Sequence, residues 1–247
     1  MIEAIRRVLA CGAMGLSLTA CGGGSVSFNS GGIQSPPILP PAGTGVTVDT
    51  AAAWHQYLST PQRWDIAGQQ NGNAFTLALV LTPGAISSFP YNGQLAQTTT
   101  QSLRLTVGGV ATANTDGILF STNDSLIGIV GGNGASASCA VVRTPFTPLP
   151  ASSTVGAGGT MVSFDTLAGC TPNAARVGSI TLNWSIEQDL AVTLFCLTTL
   201  RQDATGLPAG SETACVQTTA QGDLGGGARL TLRRADGTVI SGKNYRP

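Results

Sequence analysis

The stretch ITLNWSIEQDLAVTLFCLTTL, residues 180–200, decides the fold class. Ile180, Leu182, Trp184 and Ile186 alternate with Thr181, Asn183, Ser185 and Glu187, the two-residue period of a strand with one face in a core. Gln188-Asp189 supplies a turn. Leu190 to Leu200 is then apolar on both sides, as a central strand requires.

The same period recurs on either side. Phe75, Leu77, Leu79 and Leu81 share one face of residues 75–82, and Leu103, Leu105 and Val107 alternate with Arg104 and Thr106. Near the C-terminus, residues 229–235 and 238–241 flank Asp236-Gly237, which predicts a two-residue hairpin. Weaker strand signals lie at 63–68, 117–132, 138–144, 159–169 and 211–221. One helix interrupts the pattern. Asp49-Thr50 caps Ala51 to Leu58, where Trp54, Tyr57 and Leu58 fall at i, i+3 and i+4, and Ser59-Thr60-Pro61 ends it. The expectation is an all-β protein, an antiparallel sandwich or barrel of about ten to twelve short strands with one short N-terminal helix. Residues 49–247 form its β-rich globular domain, with the Gly- and Pro-rich stretch 145–158 as a long crossing loop or a subdomain break.

Composition narrows the function. Only 10% of residues are charged, against ~25% in an average protein. Ser, Thr, Asn and Gln supply most of the polarity, a profile that fits an exported β protein, and Lys243 is the sole lysine. Acidic and basic residues balance at 12 each, with no basic patch for nucleic acid and no polybasic segment for anionic lipid. After residue 20, no run reaches the ~18 apolar residues that cross a bilayer.

The N-terminus carries an address. Arg6 and Arg7 precede a short apolar run, Val8 to Ala20, which leads into Leu18-Thr19-Ala20-Cys21 and then Gly22-Gly23-Gly24. These residues resemble the lipobox of bacterial lipoproteins; beyond them the chain has only the general character of uncharacterised proteobacterial lipoproteins. The resemblance implies a signal peptide over 1–20, cleavage before Cys21, acylation of Cys21, and an outer-membrane destination because Gly rather than Asp follows. Cys11, inside the apolar run, would leave with the peptide. The membrane partner is then reached through the lipid alone. Residues 21–48, rich in Gly, Ser and Pro, read as a tether that spans on the order of 30 Å.

Four cysteines remain for the domain: Cys139, Cys170, Cys196 and Cys215. None sits in a CxxC pair and a lone histidine cannot complete a zinc set, so no metal site is expected. In an oxidising compartment they read as two disulfides, and neighbouring elements favour Cys139–Cys170 with Cys196–Cys215.

Catalytic signals are sparse. His55 is the only histidine, beside Trp54 on the helix, and no nucleophile, P-loop or metalloprotease motif follows residue 20. Most acids stand in turn contexts, Asp116-Gly117, Asn123-Asp124, Asp203, Asp223 and Asp236-Gly237 among them. Three functions follow as expectations. The first is a non-enzymatic, lipid-anchored structural or interaction module with no cofactor and an unknown protein or glycan partner. The second is a ligand- or glycan-binding lipoprotein using the aromatics Trp54, Tyr57, Trp64 and Tyr91. The third is a hydrolase built on a carboxylate pair.

Overall fold

The computed structural model describes residues 45–70, 73–132 and 137–245. Cys21, the signal peptide and nearly all of the tether lie outside the described residues. Fourteen strands and one helix follow in chain order: β1 (Thr47–Val48), α1 (Thr50–Ser59), β2 (Gln62–Gln70), β3 (Asn73–Ser88), β4 (Leu95–Val107), β5 (Val110–Phe120), β6 (Leu126–Gly131), β7 (Ser138–Thr144), β8 (Ser153–Thr154), β9 (Gly158–Leu167), β10 (Arg176–Asp189), β11 (Val192–Asp203), β12 (Pro208–Thr218), β13 (Leu224–Arg234) and β14 (Val239–Lys243).

Twelve of these strands form one antiparallel sheet in which each strand pairs with its chain neighbour, from β2 at one edge to β14 at the other. Only β8 is skipped, and it pairs with β1 as a separate two-stranded ribbon. Residues 145–157 therefore cross the end of the sheet, since β7 and β9 pair directly on either side of them. The sheet curls into a nearly closed barrel, so the all-β reading holds and the barrel is the form it takes.

Closure depends on side chains. Where β2 meets β13 and β14, Trp64 Nε1–H donates to Gly225 O at 2.8 Å. Asn244 Nδ2 donates to Asp65 O at 3.2 Å and to Gly226 O at 3.1 Å. Gly242 lets the edges approach, because a Cβ there would lie 2.7 Å from Ile66 Cγ2. Such bridges satisfy polar edge groups that an open sheet would leave exposed.

The alternation sets the walls. Leu77, Leu79 and Leu81 of β3 turn into the lumen with Trp64 and Ile66 of β2, and all are buried in one core. Arg63 and Asp65 pair on the outside. This apolar-in, polar-out order is the reverse of a membrane-spanning barrel wall, and among the described residues no helix is long and apolar enough to cross a membrane. On β11, Phe195 and Leu197 join the inner core while Leu194 and Cys196 lie in a second cluster outside it. That explains why the strand is apolar on both sides.

Both disulfides form as read, Cys139–Cys170 and Cys196–Cys215. Cys196 and Cys215 face each other directly on β11 and β12, and Cys139 anchors a third cluster that includes Phe89 and Leu119. Disulfides of this kind belong to a non-cytoplasmic protein.

Two expectations change in detail. The Asp236-Gly237 hairpin has a three-residue turn, in which Arg234 N–H donates to Thr238 O at 2.9 Å and Gly237 N–H returns to Arg234 O at 3.0 Å. Gly237 at φ 83° absorbs the extra residue as a bulge. Asp116-Gly117, read as a turn, lies within β5, where Asp116 pairs with Gln101 of β4.

Helix α1 lies across one end of the barrel. Asp49 is its N-cap, accepting from Ala52 N–H at 2.8 Å. Its buried face presents Ala53, Trp54, Tyr57 and Leu58 to the core. Thr99 of β4 donates to Leu58 O, and Asp49 N–H donates to Ala220 O in the β12–β13 turn at 2.9 Å. Trp54 stacks on Phe146 of the crossing segment, ring centroids 6.4 Å apart, so helix and segment close this end together.

Candidate functional site in the barrel lumen

At the end opposite α1 the lumen opens into a cavity of about 400 Å³, within the ~300–1,000 Å³ of small-molecule sites. Leu103 and Leu105 of β4 and Leu232 of β13 give it an apolar wall. Arg201, Glu212 and Arg234 supply its charged groups, and Asp236 stands at the rim.

A polar layer forms the floor. Tyr57 Oη donates to Gln101 Oε1 at 2.8 Å, and Gln101 Nε2 donates across the lumen to Glu212 Oε1 at 3.1 Å. Beside that chain, Arg201 Nη2 donates to Asp116 Oδ2 at 3.4 Å, and Asn114 Nδ2 donates to the same oxygen at 3.0 Å. Beneath the layer, a void of about 40 Å³ remains next to Trp54 and Tyr57. The layer thus separates an open apolar chamber from the packed core under the helix.

Glu212 is nearly fully buried, and burial pushes its carboxyl up to about 7; Arg201 opposes that rise and Asp116 adds to it. Burial likewise raises Tyr57, helped by the neighbouring Glu212 charge. The lumen therefore holds a buried glutamate pushed toward its protonated form beside an ion pair.

Arg234 is the least satisfied group. Its Nε and Nη2 are buried and donate to no partner among the described residues. Asp236 stands nearby, but its Oδ1 is engaged by Thr238 N–H of its own turn at 2.8 Å.

The aromatics do not make an exposed platform. Trp54, Tyr57 and Trp64 are buried to 3% exposure or less, turned into the lumen where the core needs their area. Trp54 Nε1–H donates to Asp124 O at 2.9 Å, and Trp64 serves the seam. Tyr91 is half-buried and packs against Phe89 on the outer wall, away from the other three. No glycan face is assembled from these four. Trp54 and Tyr57 instead roof the small inner void.

His55 Nδ1 lies 2.9 Å from Asp124 Oδ2, an exposed contact that pins α1 to the β5–β6 turn. Among the described residues, no hydroxyl or thiol is hydrogen-bonded to its other ring nitrogen. Glu187, Cys196 and Cys215 lie close together, but both sulfurs are committed to the disulfide and Arg229 occupies Glu187, so the group offers no metal site. Asp203 and Asp236 remain in turns, capping backbone N–H groups.

The lumen residues Arg201, Glu212 and Arg234 carried no sequence signal of their own. A faint one existed in β12, where Glu212 falls in phase with the inward Ala214 and Val216.

No family model matches the chain, and no curated protein or solved structure matches it either.

Proposed function

We propose that this protein is a non-enzymatic binding protein of the cell envelope, held to the outer membrane by lipid on Cys21, which keeps a small, mostly apolar molecule in its barrel mouth. The carrying observation is the chamber of about 400 Å³ with leucine walls and a polar floor. Barrel mouths are a recurrent place for such sites. Charged groups at the floor fix a ligand's orientation, and apolar walls supply the favourable burial of ~25 cal/mol per Å².

Two measurements test it. The full chain should bind the apolar fluorophore 1-aminoanthracene, and Thr112→Trp, which fills the chamber from β5, should weaken binding at least tenfold. Undiminished binding in a folded Thr112→Trp protein refutes the site. For the anchor, Cys21→Ser should release the protein into the soluble fraction; a variant that stays with membranes refutes the lipid attachment.

A second reading has one observation behind it. Asp116 and Glu212 share the lumen floor, Asp116 paired with Arg201 and Glu212 pushed by burial toward its neutral form. That is the electrostatic arrangement of an acid–base carboxylate pair. Hydrolysis of aryl glycosides, abolished by Glu212→Gln, would establish it; no turnover by the intact chain removes it.

A further inference from the structure

The Arg234 guanidinium carries two N–H directions that nothing in the described protein meets, Nε and Nη2. These two atoms form one edge of the planar fork, the edge that takes both oxygens of a carboxylate side by side. Both atoms are buried, and the residue that carries them lines the chamber.

The surrounding row strengthens the match. Gly210 of β12 pairs with Arg201 of β11 on one side and with Arg234 of β13 on the other. All three residues line the chamber. Two arginine positions therefore flank one without a side chain, ~10 Å from strand to strand-but-one. A Cβ at Gly210 would meet Arg233 O at 2.8 Å, and its φ of 126° excludes most other residues, so the gap between the two arginines is built into the backbone. The two arginines are not equivalent. Arg201 is engaged by Asp116, and Arg234 is held open. From this row the wall continues through Leu232, Leu103 and Leu105, which are apolar.

We propose that the chamber takes a carboxylate-bearing amphiphile, its head seated side-on against Arg234 over Gly210 and its tail along Leu103, Leu105 and Leu232. This rests on the binding reading above and adds the ligand's chemical class and the residue that selects it. Arg234 would set preference for the anion, while the leucines would hold any tail of similar size.

The test compares three probes of one tail length on the full chain by titration calorimetry: decanoate, 1-decanol and decyltrimethylammonium. Decanoate should bind at least tenfold more tightly than decanol. Arg234→Gln should remove that difference by weakening decanoate at least tenfold. Arg234→Lys, which keeps the charge but loses the fork, should retain only part of it. Equal affinity for decanoate and decanol in the parent protein overturns the anion site while leaving the chamber as a binding site. Preference for the cationic probe overturns it in favour of the Glu212 side. A decanoate preference that survives Arg234→Gln overturns the assignment to Arg234. Failure of all three probes to bind overturns both this proposal and the binding reading.

Discussion

Gln101 Nε2 reaches across the barrel to Glu212 Oε1 at 3.1 Å, joining strands that share no ladder and residues 111 positions apart. This contact ties β4 to β12 through the lumen. It also gives the fold a titratable group in its interior.

Glu212 is expected to make stability depend on pH. In the folded protein its carboxyl holds a proton to about pH 7, whereas its ordinary value is 4.5. The folded state binds more protons between those values, so stability falls as pH rises from about 4.5 through about 7. The raised value corresponds to roughly 3 kcal/mol lost by pH 8. Glu212→Gln should remove this dependence, melting higher than the parent at pH 8 and close to it at pH 4. Parallel melting curves of the two proteins across that range would contradict the burial of this charge.

Leu190 sits in the two-residue β10–β11 turn at φ 60°, with 52% of its surface exposed. A leucine is strained there by ~1–2 kcal/mol, and little burial is lost on replacing it. Leu190→Asn should raise the melting temperature by about 1–2 °C, a net gain of roughly 0.5 kcal/mol. A lower melting temperature would show that the side chain contributes packing.

Reduction should slow the chain's migration on a denaturing gel, since two loops of 19 and 31 residues open. Each bridge contributes about 3–4 kcal/mol on the loop-entropy account. The double variant Cys196→Ser/Cys215→Ser should therefore lose about 3 kcal/mol in denaturant titration.

Trp64→Phe keeps most of the buried area at the seam but leaves Gly225 O without its donor. A loss of about 1–3 kcal/mol is expected, together with faster hydrogen exchange in β2 and β13 than in β9 or β10. Uniform exchange would indicate that closure does not depend on this bond.

The walls were legible in the sequence because a half-buried strand writes its period into its side chains, as Ile180 to Glu187 do. Paired cysteines were legible too, since Cys196 and Cys215 stand on consecutive strands. Closure was not. The bond from Trp64 to Gly225 spans 161 positions, and no local pattern distinguishes a ring from two facing sheets. The site was hidden for a related reason. Strand β5 lines the chamber and floor with Thr112, Asn114 and Asp116, so its first half shows polar residues where a packed strand shows leucines, and it reads as loop. The aromatics misled in the opposite sense. Trp54 and Tyr57 cluster on the helix because they fill the barrel end, which from sequence resembles a surface platform.

The seam has a consequence for how the molecule comes into being. β2 is the first strand of the ring to be made and β14 the last. A chain emerging from its N-terminus must hold β2 unpaired on its outer side until Asn244 arrives to reach Asp65. Folding is thus completed from the tail, and any premature stop in the final strands would strand an adhesive edge. The same sequence would then seed intermolecular strand addition. Asn244 thus acts as a clasp that joins the last strand of the ring to its first.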